Sequence, residues 1–244
     1  MTTNTISSTT VLVRGSFTLR NASVDANICF HAQGGAKLHE VKVRSNPDQY
    51  QVACDGAVYL GCTEHPKPAP EDWHAVRTEK PTGAPTDDAE DDTTHWYMSR
   101  GSFNIDRRKR SVRIREFSQV RYRSVKTTIV NSDEKKETVY LSGVATRVKI
   151  RCVDTVIITN CRIGTLSLQN VGRVIIDGDT AIARVTACSA RMVSIGEYGT
   201  SPVHIGKLVV RGALATAIAG DANVVSGNIN SALTILEGLA TLGS

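Results

Sequence analysis

Short runs of alternating aliphatic and polar residues fill the stretch from Val148 to Ile195 and recur at a spacing of about eighteen positions. Val148-Lys-Ile150-Arg-Cys152 is echoed by Leu166-Ser-Leu168-Gln-Asn170, and Val156-Ile-Ile158-Thr-Asn160 by Val174-Ile-Ile176-Asp-Gly178. A third copy, Val185-Thr-Ala187-Cys188 with Val193-Ser-Ile195, follows once one residue is inserted. Each run is too short for a helix and the runs lie too close together for βαβ crossovers, so each repeat reads as two or three short strands. The pattern predicts an all-β chain, a single-chain parallel β-helix (solenoid) whose aliphatic side chains stack from turn to turn.

The same alternation, less regular, runs through residues 11–62 as Val11/Val13, Phe17/Leu19, Ile28/Phe30, Val41/Val43, Tyr50/Val52 and Val58/Leu60, broken by Gly, Asn, Asp and Pro. These residues are expected to be the first coils of the solenoid, with a separate small β-domain as the alternative. Residues 1–10 read as a flexible Ser/Thr-rich arm. Between Thr63 and Thr94 lie five of the seven prolines, Pro66, Pro68, Pro70, Pro81 and Pro85, and the acidic run Asp87-Asp88-Ala-Glu90-Asp91-Asp92. Proline density and like-charge repulsion both oppose a packed core, which marks 63–94 as a long loop insertion. The main β-helix is expected over 95–211. From Gly212 to Ser244 only Asp221 and Glu237 carry charge, and an Ala/Leu-rich segment around Gly238 suggests a short helix capping the last coil or an interface segment.

Composition sharpens this picture in a few places. Aromatic residues make up 5% of the chain, which fits an aliphatic interior, and the net charge of +5 favours an anionic partner only mildly. The N-terminus has no basic and apolar leader pattern, and no apolar run is long enough to span a membrane. A cytoplasmic or nuclear location, or a virion if the source is viral, is therefore expected. Six cysteines without CxxC spacing read as free thiols, with Cys152 and Cys188 at comparable corners and Asn170 between them.

Candidate chemistry is sparse. The strongest charge feature is Arg107, Arg108, Lys109, Arg110, Arg113, Arg115, Arg121 and Arg123. Val112 and Ile114 alternate with Arg113 and Arg115, so a strand here projects its guanidinium groups in a row able to hold an anion, nucleic acid among them. The opposing reading is that the acidic run at 87–92 neutralises this strand. Trp73, Trp96 and Tyr97 flank the loop as base pins or as partner contacts, and Leu233, Leu236, Leu239 and Leu242 are candidate interface residues of the tail. Asp177-Gly-Asp179 is either a corner or a pair of carboxylates for glycan cleavage, as in polysaccharide-active β-helices. Cys62 with His65 is an isolated pair, so no metal or cofactor is expected.

Val148 to Asp177, reading VKIRCVDTVIITNCRIGTLSLQNVGRVIID, resembles the coils of the C-terminal domain of cyclase-associated proteins and of tubulin-cofactor-C-like domains. The resemblance implies a right-handed parallel β-helix and, as partners, actin or a tubulin-directed GTPase engaged through an arginine finger. Those coils carry no Gln-x-Arg motif here, so the GTPase-activating role does not carry over. A similar pattern occurs in viral and phage structural proteins. The resulting expectation is a non-enzymatic structural or assembly protein, a viral capsid or virion component first and a cytoskeletal adaptor next, with a glycan-active enzyme and a nucleic-acid-binding module as alternatives.

Overall fold

One interior column traces the whole architecture. Val139 lies beside Val156, then Val174, Val193, Thr216, Thr234, Val11 and Phe30, each on the next parallel strand. The computed structural model describes residues 4–33, 35–44, 51–55, 58–60, 93–99, 102–106, 111–115, 122–123, 138–198 and 201–243. These residues form an all-β solenoid of about 7 turns without a helix. In chain order the strands are β1 (Asn4–Val13), β2 (Thr18–Gln33), β3 (Lys37–Arg44), β4 (Gln51–Asp55), β5 (Val58–Leu60), β6 (Thr93–Ser99), β7 (Ser102–Asp106), β8 (Ser111–Arg115), β9 (Tyr122–Arg123), β10 (Thr138–Arg151), β11 (Thr155–Gln169), β12 (Arg173–Asp177), β13 (Thr180–Cys188), β14 (Met192–Ile195), β15 (Val203–Ile218), β16 (Ala222–Leu236) and β17 (Thr241–Leu242).

The stacking order departs from the chain order. β6 and β7 pair with β10, and the coils then run through β11 and β15 to β16. There the N-terminal strand takes over: β1 lies parallel to β16 on one side, with Thr5 beside Asn228 and Val13 beside Leu236, and to β2 on the other. β17 sits at the same level, with Thr241 between Asn223 and Thr18. One coil is therefore built from both ends of the chain. Residues 4–10 are strand rather than a flexible arm, and β2 to β5 extend the stack beyond β1 and β16 instead of preceding β6. The coil order expected from the chain order is thus replaced by a permuted one.

Side chains explain why this joint forms. Asn4, 1% exposed, donates its amide to the carbonyl of Arg20 (2.8 Å) on one side and accepts from the Gly227 N–H (2.7 Å) on the other. Deeper in the joint, Ser8 Oγ lies 2.6 Å from Thr234 Oγ1, which lies 2.8 Å from Ser231 Oγ. Buried hydroxyls of this kind are satisfied only in the correct register, because a slip leaves them unpaired in an apolar interior. Around them the core is aliphatic, with Ile6, Val11, Phe17, Leu19, Ile150, Leu168 and Val224 at 1% exposure or less.

The corners show where the sequence pattern needed adjusting. Cys152, Asn170 and Ser189 all adopt positive φ (57°, 53° and 56°), and each donates its N–H to the residue before the next corner. Ser189, not Cys188, is the third member of that ladder, since Cys188 lies level with Gln169. The extra residue enters at the Gly178 corner, which shifts the offset from that of Thr159 beside Asp177 to that of Arg162 beside Ala181. The expected C-terminal helix is also absent: β16 runs to Leu236, the chain turns at Gly238 (φ 79°), and β17 follows. Neighbouring strands on both sides override the helical propensity of Ala and Leu there. The Pro/acidic stretch 63–92 lies outside the described residues.

Candidate anion-binding face

Where β10 to β16 form one flat wall, the inward positions are Val148, Ile150, Leu166, Leu168, Val185, Ala187, Leu208 and Val210, all at 1% exposure or less. Strand alternation then forces the intervening residues outward. Register places Arg147 beside Thr165, Arg184, Lys207 and Ser226 in one column. A second column runs Lys149, Ser167, Thr186, Val209, Asn228 and a third Arg151, Gln169, Cys188, Arg211, Asn230. From β10 to β16 these three columns carry six cations and no acid, and on the adjacent β7 Asp106 registers with Arg151. Arg147, Arg184, Lys207 and Arg211 are exposed, while Lys149 and Arg151 are partly so. The ion pairs among the described residues are Arg162 with Asp179 and Arg173 with Glu197, and neither involves the six.

Two of the basic residues expected from sequence lie on a strand that reaches this wall through β7. β8 runs antiparallel to β7, with Arg113 opposite Asn104 and Arg115 opposite Ser102. Asn104 in turn registers with Lys149 and Ser102 with Arg147. Arg123 lies on β9 opposite His95, at the level of β6. Arg107, Arg108, Lys109, Arg110 and Arg121 lie outside the described residues, as does Trp73. The six cations of β10, β13 and β15 escaped the sequence reading because they are scattered along the chain. The alternation Arg147-Val-Lys149-Ile-Arg151 was the signal that pointed to them.

The remaining candidates resolve differently. Trp96 and Tyr97 are on β6, in register with Leu141 and Ser142. Leu236 and Leu242, offered as interface residues, are fully buried inside the coil, where strand alternation turns them inward. Leu233 packs outside the coil against Leu12, Ala217 and Ile235. Leu239 is 69% exposed at the turn before β17. Cys29, Cys152, Cys161 and Cys188 are free thiols. Among the described residues no group of three or more His, Cys, Asp or Glu is placed to hold a metal.

Asp177 and Asp179 do not form a joint acid site. Asp177 is 4% exposed and accepts from the N–H groups of Gly178 (2.8 Å) and Tyr198 (2.9 Å), which is a corner held by its own carboxylate. Asp179 lies outward and both of its carboxylate oxygens accept from Arg162 (2.7 and 2.8 Å). Beside Asp177 sits Glu197, 3.7 Å from Arg173. Burial pushes the Glu197 carboxyl above its usual range, with Ser194 and Arg173 opposing the shift. Burial likewise raises the Tyr198 phenol to about 12, and its oxygen accepts from Arg173 (3.3 Å). Asp177 and Glu197 are both shielded, so a polymer chain has no route between them, and this cluster reads as a locked corner.

Chemically, the basic wall offers a fixed array of guanidinium and ammonium donors interleaved with hydroxyls and amides, the groups that hold phosphate and sulfate oxygens. Set against protein-family models, curated proteins and solved structures, the chain matches none.

Proposed function

We propose that the protein is a non-enzymatic structural subunit, a rigid β-solenoid body that takes its place in a larger assembly and grips an anionic partner, with a viral capsid or virion as the setting. The observation that carries this reading is the wall of six cations on β10, β13 and β15 of one continuous ladder, none of them in an ion pair among the described residues. Like charges held together at fixed spacing repel one another, and the arrangement is relieved when a counter-charged partner covers it. A ladder of this kind leaves outward residues free to vary without touching the core, so the wall is an addition to the scaffold rather than a folding requirement.

Light scattering on purified protein with and without heparin as a generic polyanion tests the reading. A complex of higher mass that dissolves as salt is raised supports it, since such contacts weaken as counterions compete. A particle of constant mass in every mixture, at low and high salt alike, contradicts it.

A further inference from the structure

We infer that the partner of the basic wall is the phosphate backbone of a nucleic acid, bound without regard to base sequence. This inference rests on the polyanion reading above and specifies its ligand. Arg147, Lys149 and Arg151 alternate along one strand, so neighbouring cations are spaced about 7 Å apart, two strand residues at about 3.4 Å each. That is the scale on which phosphates succeed one another along an extended nucleic-acid strand. Across the stack, Arg184 and Lys207 lie on adjacent strands, about 4.8 Å apart. The array is thus two-dimensional, and a strand can cross it while meeting several cations in either direction.

Residue type supports phosphate over other anions. Four of the six cations are arginines, Arg147, Arg151, Arg184 and Arg211, whose planar fork engages two phosphate oxygens at once. Between them stand Thr165, Ser167, Gln169 and Thr186, side chains of the kind that fill out phosphate contacts. No aromatic side chain lies on the three columns, so bases have no platform to stack on. A flat sheet also cannot enter a groove to read base edges. What remains is backbone recognition, common to single strands and duplexes.

The test is fluorescence anisotropy with a labelled thymidine homopolymer strand and a labelled mixed-sequence duplex, against the full chain. With up to six phosphates engaged, the salt slope is expected near −4 for the single strand and near −5 for the duplex. Affinity then falls about 10²- to 10³-fold between about 50 and about 200 mM salt. Arg147→Ser, Arg184→Ser and Lys207→Ser combined remove three exposed side chains and halve that slope, while far-UV circular dichroism stays unchanged. Arg162→Ser, on a different face and engaged with Asp179, leaves binding unaltered.

Binding of both nucleic acids with these slopes, weakened and with the slope halved in the triple variant, is the expected result. Binding of heparin or polyglutamate through the same three residues, with neither nucleic acid bound, overturns the inference and leaves the polyanion reading standing. Absence of binding to every polyanion overturns both. An unchanged triple variant, or an Arg162→Ser protein weakened as much as the triple variant, overturns the assignment to this wall.

Discussion

Replacing Asn4 with alanine removes a side chain that ties three consecutive levels of the solenoid together. Its amide nitrogen donates to the Arg20 carbonyl at 2.8 Å, and its carbonyl oxygen accepts from the Gly227 N–H at 2.7 Å. Both bonds lie in an environment where Asn4 is 1% exposed, so water does not replace them. Leaving a buried backbone donor or acceptor without a partner costs about 1–3 kcal/mol each. Two such groups place the loss at about 2–6 kcal/mol, a large share of the ~5–15 kcal/mol by which domains are stable. Urea denaturation followed by circular dichroism measures it as a lower midpoint with an unchanged slope. The more conservative Asn4→Asp keeps the acceptor for Gly227 and loses the donor for Arg20. A loss below about 0.5 kcal/mol for Asn4→Ala, the range of ordinary surface substitutions, refutes the argument that the N-terminal strand is an integral part of the stack.

Two further outcomes follow from the burial of titratable groups. Glu197 has a folded-state pKa raised by burial, so the folded protein holds its proton more tightly than the unfolded chain does. Its contribution is fully present below the ordinary carboxylate value and is lost as pH rises through the folded value; Glu197→Gln is expected to flatten that fall in a series of thermal melts from acid to neutral pH, and an unchanged profile contradicts it. Burial lifts the Cys29 thiol to about 11 and the Cys161 thiol to about 12. Iodoacetamide applied to the native protein near neutral pH should therefore label the partly exposed Cys152 and Cys188 well before Cys29 and Cys161, as read by peptide mass spectrometry.

The solenoid was legible because Val/Ile alternation at a repeated spacing has few physical solutions other than stacked coils. Val148, Ile150, Leu166 and Leu168 all point inward as the alternation demands. The order of the coils was not legible, because periodicity fixes which side chains face inward but not which coil is neighbour to which. Nothing in the runs of residues 4–13 or 222–236 announces that they pair; the complementarity lies in Ser8, Ser231 and Thr234, polar residues spread across the chain. The tail misread as a helix carries the same lesson, since its Ala and Leu content describes local preference and the flanking strands decide the outcome. For the candidate site, the dense cluster around Arg107 drew attention by local charge. The wall itself is assembled from single cations in separate coils, and only register brings them together.

The central claim is that a single coil is completed by both ends of the chain, with β1 lying between β16 and β2. Ser7 and Asn230 are exposed register partners across that joint, with Cα atoms about 4.8 Å apart as in any pair of neighbouring strands, within the span of a disulfide. Cysteines introduced by Ser7→Cys and Asn230→Cys should, on mild oxidation, join within one molecule, and peptide mapping of the monomer band should recover that linked pair. Failure of the two positions to link, or linkage found only between molecules, contradicts the shared coil.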